Sequence, residues 1–466
     1  MHRITLSLAL AGLIAVLSTM GAQATNVVLF LGDGMGISTV TAARIFAGQA
    51  LGKTGEEHQL TFDQFPHVAL VKTYNTDAQV PDSAGTITAI LTGRKTRMGV
   101  LGIGPQVERG DCAQALRAQL PSILQLAEQA GYATGIVSTT RITHATPAGT
   151  YAHSPDRNWE SDVDMPEAAR AEGCTDIAQQ MIDMPHGDGL DVILGGGRVQ
   201  FLPTDVSDPE YPQVQGRRTD GRNLIEAWLA ARDGRTYVWN SAQFEALRPR
   251  AGSQFMGLFE PSHMKYDADR DKDTAGEPSI AAMTRFAIEQ LRHNDQGFFL
   301  LVEGGRIDHG HHASNAYRAL ADTVAMDAAV GVATELLDLD NSLILVTADH
   351  SHTLTISGYP PRGNPILGKV PLYEQLRKAD TKPYTTLSYA NGPGYVATRP
   401  DLTGTDTTAP SYLQLGTVPL VSETHGGEDV AAFATGLHAD KVRGVMEQNV
   451  LFEAMSSALF DQNPKE

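Results

Sequence analysis

The sequence predicts an α/β fold: one large, mostly parallel central sheet sandwiched between helices, with an inserted subdomain. Three observations carry that expectation. Short apolar runs recur along the chain, helix-like segments separate them, and charged residues gather where several of the runs end. Continuous apolar runs suit strands buried on both faces, the usual state in a parallel sheet, and alternation with helices suits right-handed crossovers.

The chain opens MHRITLSLALAGLIAVLSTMGAQA, with a basic residue at Arg3, an apolar run from Ile4 to Leu17 and small residues at Ala22 and Ala24. It reads as a signal peptide removed after Ala24. The run is shorter than the roughly 20 residues that a membrane span needs. No later segment looks transmembrane, so the mature chain, 25–466, is expected to be exported, periplasmic or secreted, with no membrane span.

The strand-like runs are NVVLFLGDG, HVALVKTYN, GIVSTT, LDVILGGG, GFFLLVEGG, SLILVTADH and DVAAFATG. After Pro278, which suits a first helical turn, Ile280, Met283, Ala287 and Leu291 recur at helical spacing. A long Ala-rich stretch from Ala316 to Leu337 links two further strands. Two regions break the rhythm. Residues 203–273, rich in Pro, Gly, Arg and Asp, read as excursions from the sheet, and residues 353–423, containing YANGPGY, as the inserted subdomain.

With 54 Asp and Glu against 36 Lys and Arg, the formal net charge is -18. That balance disfavours a nucleic-acid scaffold as partner. Cys112 and Cys174 are the only cysteines. In an oxidising compartment they suit a disulfide better than a metal site, although spacing alone leaves two separate buried thiols open.

Asp33 ends VVLFLGD, Glu303 ends FFLLVE, and Asp349 and His350 end LILVTADH. Ligand sites of open α/β sheets assemble at the carboxyl ends of strands. One such carboxylate alone is ordinarily a helix cap; three together, two beside glycines, point to a site. GGRIDHGHH adds Asp308 and His312, four apart and so on one face of a helical turn, and SETHGGED adds His425. Carboxylates mixed with imidazoles suit zinc, and an oxygen-rich set suits magnesium. His309 and His311 need not be ligands.

PDSAGT places Ser83 beside Asp82 where a helix is expected to begin near Ala84. A serine hydroxyl attacks only when a base or a metal activates it, and here ligands are abundant while no Ser-His pairing is evident. The helix N-terminus would favour an anion. HSPDRNW supplies Arg157, whose guanidinium could grip a phosphoryl group in bidentate fashion.

In order and over nearly the whole mature chain, LGDGMG, PDSAGT, TRITHATPAGTYAH, RNW, VEGGRIDHGHH, TADHSH and ETHGGEDV resemble the alkaline phosphatases. The likeness favours the branch that includes the animal enzymes: His144 and His309 stand where another bacterial branch carries Asp and Lys. The resemblance implies Ser83 as the nucleophile that becomes phosphoserine and Arg157 as the phosphate clamp. It implies Asp308, His312 and His425 at a first zinc, and Asp33, Asp349 and His350 at a second. It implies magnesium held by Asp33, Thr146 and Glu303. It also pairs Cys112 with Cys174. A calcium site is implied at Glu210, the Phe259 carbonyl, Glu260 and a carboxylate within DADRDKDTAGEPS, for which Glu277 is the choice. The 353–423 insert matches a crown domain that contributes to a homodimer interface.

The expected activity is hydrolysis of small phosphate monoesters with little leaving-group preference. A phosphodiesterase of the same superfamily and an exported metal- or phosphate-binding protein are the alternatives; a sulfatase is disfavoured by serine at position 83.

Overall fold

The computed structural model describes residues 24–371 and 380–461. The expected leader up to Gln23 lies outside the described residues. In chain order the strands are β1 (Thr25–Gly32), β2 (His67–Lys72), β3 (Ala133–Arg141), β4 (Val192–Gly196), β5 (Arg235–Val238), β6 (Gln254–Leu258), β7 (Gly297–Gly304) and β8 (Ser342–Ala348). There follow β9 (Ser351–His352), β10 (Leu354–Ile356), β11 (Leu387–Gly392), β12 (Gly416–Pro419), β13 (His425–Gly426), β14 (Val430–Gly436) and β15 (Gly444–Glu447).

Ten of them form one sheet in the order β15-β2-β14-β8-β1-β7-β3-β4-β6-β5. Only β14 runs against its two neighbours, β8 and β2; the other pairings are parallel. The apolar runs lie where they were expected, because β1, β7 and β8 are covered on both faces: Val27 to Leu31, Phe298 to Val302 and Leu343 to Val346 are all fully buried. Helices Ile280–Leu291 and Ala316–Leu336 pack on each other and carry one of those layers. The first begins at Ile280, two residues beyond Pro278: Ser279 is the N-cap, its hydroxyl accepting from Ala282 N–H.

The reading of 203–273 as excursions is corrected. This region supplies β5 and β6, which extend the sheet beyond β4. All five residues of β6, QFMGL, are buried. The charged loops on either side obscured so short a strand. Segment 353–423 instead carries a separate sheet, β10-β11-β12. It leaves the main sheet after β8 and returns before β14, and the β9–β13 pair ties its two ends together, His352 opposite His425.

Candidate active site

Register explains how distant residues meet. Gly32 of β1 is level with Gly304 of β7 and with Ala348 of β8. Three adjacent parallel strands therefore end together and set Asp33, Glu303 and Asp349 side by side, all three fully buried. Gly34 turns the chain away at φ +68°, and a Cβ there would stand 2.4 Å from the His352 ring. The glycine is thus required for both the turn and the close approach.

Ser83 opens the helix Ser83–Thr92, with Asp82 as its N-cap accepting from Gly85 N–H. Its Oγ lies 3.4 Å from Asp33 Oδ1 and 3.2 Å from His350 Nε2. The same Nε2 is 3.3 Å from Asp33 Oδ1 and 3.3 Å from Asp349 Oδ2. His350 Nδ1 faces the Ser351 carbonyl at 3.2 Å, which only an N–H can satisfy. Nε2 therefore presents a lone pair among carboxylate oxygens.

A second convergence lies on the helix Arg306–His312. His312 Nε2 is 3.2 Å and His425 Nε2 3.4 Å from Asp308 Oδ1, and the two nitrogens are 3.2 Å apart. His312 Nδ1–H donates to the Glu423 carbonyl at 2.5 Å and His425 Nδ1–H to the Pro81 carbonyl at 2.8 Å. Two lone pairs and a carboxylate oxygen thus point at one place, an arrangement that repels itself unless a cation sits between them. At a third place Asp33 Oδ2, Glu303 Oε1 and Thr146 Oγ1 are buried with no hydrogen-bond partner in the protein. Three oxygens suit a hard cation, and a His144 ring nitrogen lies within 4.8 Å of the Asp33 and Glu303 oxygens.

The electrostatics agree. Burial, then the neighbouring charges of Asp349, Asp308 and Glu303, push the Asp33 carboxyl well above the usual range. Burial also pushes Glu303 to about 7, against hydrogen bonds from Ser138 and Thr140. The protein's own groups leave these carboxylates short of positive charge, and divalent cations at the three convergences would supply it.

Arg157 donates Nη1 to Asp82 Oδ2 at 3.0 Å and Nη2 to His144 Nε2 at 3.2 Å. Asp82 also accepts from Gly99 N–H at 3.0 Å and from the Asn75 amide at 3.0 Å. Burial favours its neutral form, but Arg157 and these N–H groups outweigh that and lower its pKa. Of the histidines set aside earlier, His309 Nδ1 takes a bond from Arg306 Nη1 at 3.0 Å, and His311 bridges Thr39 and Tyr389.

Sequence reasoning missed His352 and Glu423. His352 Nε2 is 2.8 Å from Asp308 Oδ1, and Nδ1 is 2.5 Å from Glu423 Oε2. Burial opposes its charge, but the two carboxylates win and hold the imidazolium at about 9. With a proton on each nitrogen His352 orients Asp308 and offers no lone pair. The signal was present in ADHSH, where His350 and His352 alternate on an extended chain.

Cys112 and Cys174 form a disulfide, Cα atoms 5.9 Å apart, packed with Trp159, Met165 and Ala169. Further out lies an acidic group. Glu210 and Glu260 converge with Asp273, and the Glu277 carboxyl, pushed up to about 8 by burial, borders Glu260 and Asp273. Glu277 accepts from Lys265 N–H, at 3.0 and 3.2 Å.

Among the described residues no helix is long and apolar enough to cross a membrane. The family model for alkaline phosphatase matches residues 24–460. The tissue-nonspecific isozyme of alkaline phosphatase from Gallus gallus is 48% identical over 444 residues, 93% of this chain and 84% of the relative. The alkaline phosphatase of Gadus morhua is 47% identical over 94% of this chain and 92% of its own. Among solved structures, the enzyme of Thermus thermophilus superposes with a TM-score of 0.65 at 23% identity, covering 96% of both chains. That of the Antarctic bacterium TAB5 gives 0.64 at 23%, over 95% of this chain and all of the other. A variant of the TAB5 enzyme has Mg bound in its M3 site. The chain belongs to the alkaline phosphatase family, metal-dependent hydrolases that act on phosphate monoesters.

Proposed function

We propose that Ser83 is the nucleophile and Arg157 the phosphate clamp of a broad-range phosphomonoesterase that works through a phosphoserine. Asp308, His312 and His425 would hold one Zn²⁺, and Asp33, Asp349 and His350 a second. Asp33, Thr146 and Glu303 would hold Mg²⁺. The observation that carries this reading is the convergence of imidazole lone pairs, fixed by the Pro81, Ser351 and Glu423 carbonyls, on carboxylate oxygens beside Ser83.

Ser83 Oγ forms a bond to phosphorus as the ester oxygen leaves with the alcohol. Water then breaks that bond, restoring the Ser83 hydroxyl and releasing inorganic phosphate. When bound, the cations lower the pKa of the attacking hydroxyl groups and neutralise the charge that builds on the phosphoryl oxygens. Arg157, held at two corners, orients two non-bridging oxygens. The end of the Ser83–Thr92 helix adds its positive field. Because these groups address the phosphoryl unit and not the alcohol, leaving-group preference should be slight.

Glu210, Glu260 and the Phe259 carbonyl, with Glu277 and Asp273 beside them, would take a Ca²⁺. A homodimer through the 353–423 subdomain is supported by the exposed apolar side chains of Val418, Leu420 and Val421. The disulfide supports an exported protein.

The test is phosphate release from a chromogenic monoester at mildly alkaline pH, with zinc and magnesium, after chelation, and with Ser83→Ala. Turnover should fall by about 10³-fold or more in the variant and after chelation. A metal-replete wild type that releases nothing would overturn the reading, and faster cleavage of a diester than of its monoester would favour the diesterase.

A further inference from the structure

We propose that His263, which has no part in the site so far, is a positioning residue for Arg157, acting through the His144 ring. The inference rests on Arg157 being the phosphate clamp. Its two anchors differ. Asp82 is locked by backbone N–H groups and the Asn75 amide. His144 has less support: Nε2 is spent on Arg157, Nδ1 has no hydrogen-bond partner among the described residues, and the ring borders the Asp33 and Glu303 carboxylates. Ring contacts therefore contribute to setting its rotation.

Those contacts are with two other imidazoles. His263 meets His144 edge-on, centroids 5.3 Å apart at 82°, and His309 lies 5.6 Å away at 57°. His263 and His309 are 4.2 Å apart. Of the two, His263 is tied to the outer wall. Both its ring nitrogens face Arg141, Nε2 against Nη1 at 2.5 Å and Nδ1 against the backbone N–H at 3.2 Å, and Arg141 is clamped on Glu160 by bonds of 2.7 and 2.6 Å. Glu160 is itself held by Thr143 Oγ1 at 2.6 Å. The loop beneath is fixed too, because Met264 N–H donates to the Thr139 carbonyl at 3.1 Å. A chain of rigid contacts thus runs from Glu160 through Arg141 and His263 to His144, and ends on the guanidinium.

The consequence concerns affinity. Arg157 meets substrate and product phosphate alike, so loosening it weakens both, while the chemistry at Ser83 is spared. In the zinc- and magnesium-replete enzyme, His263→Ala should raise KM and the inhibition constant of inorganic phosphate together by about tenfold, the low end for loss of an orienting partner. Metal content should be unchanged and kcat within about twofold. His263→Phe, which keeps a ring edge against His144, should recover most of the loss, and His263→Asn, which keeps only the acceptor for Arg141, should not. In a His144→Ala background His263→Ala should add nothing, since coupled sites are not additive.

Unchanged phosphate inhibition in His263→Ala, or full additivity with His144→Ala, would overturn the proposal. Where the alanine variant loses metal or fold, the Phe to Asn ratio decides by the same criterion. Arg157→Ala separates the two levels. If it leaves phosphate binding intact, the clamp reading itself fails; if it weakens binding and the His263 variants do not, only the present inference falls.

Discussion

Two clusters of carboxylates in this molecule look alike in composition and differ in what neutralises them. At the end of β1, β7 and β8, Asp33, Glu303 and Asp349 have no lysine partner, and their imidazole neighbours offer lone pairs. Around Glu260 a resident cation is already present: Lys265 Nζ lies 2.6 Å from Glu260 Oε1 and 3.8 Å from Asp273 Oδ1. Arg198 Nη2 reaches Glu210 Oε2 at 3.4 Å. Acid density therefore does not decide whether a metal is needed. The first cluster has no such cation of its own, whereas the second already holds a lysine and an arginine.

The largest effect that would sharpen this contrast is Asp33→Asn. Asp33 faces two of the three convergences, so the variant should lose metal from more than one site and lower kcat/KM by about 10³-fold or more. Metal analysis beside kinetics checks it, and full metal content would break the comparison.

Next is pH, at a buried carboxylate remote from both clusters. Burial raises Glu128 from 4.5 to about 8 despite a hydrogen bond from Thr134. A raised folded-state pKa gives stability that is complete below 4.5 and is lost as pH climbs to about 8. Over that window Glu128→Gln should flatten the decline in unfolding free energy by up to about 1.4 kcal/mol per pH unit. Denaturant titrations at several pH values would show an unaltered slope if the carboxylate is compensated in some other way.

Lys265→Met comes third. In calcium-free buffer it should cost about 2 kcal/mol, less than a fully buried pair would because the lysine is part-exposed. Added calcium should restore more stability to it than to the wild type. The smallest effect belongs to Asp273→Asn, which should shorten the calcium-induced rise in Tm and leave kcat within about twofold. Equal calcium responses in the two outer-cluster variants and the wild type would leave that cluster without a metal role.

The sheet and the polar strand ends were legible because β1, β7 and β8 are apolar on both faces and stop at charged residues. Strand β6 was not, since five buried residues between charged loops carry too little pattern. His352, Glu423 and His263 were hidden for another reason. Each acts on a ligand or an anchor from a distant segment, and pairings such as His352 with Glu423, or His263 with His144, exist only once the chain is folded.

The short pairing of β9 with β13 has one more consequence. It joins His352 to His425 across the whole inserted subdomain, so the pocket opened by Asp33 near the start is not closed until residues near the end have arrived. A chain emerging from its N-terminus carries half-built ligand sets for most of its synthesis. Both convergences therefore require residues from nearly the whole length of the chain, and removal of the C-terminal strands would leave them incomplete.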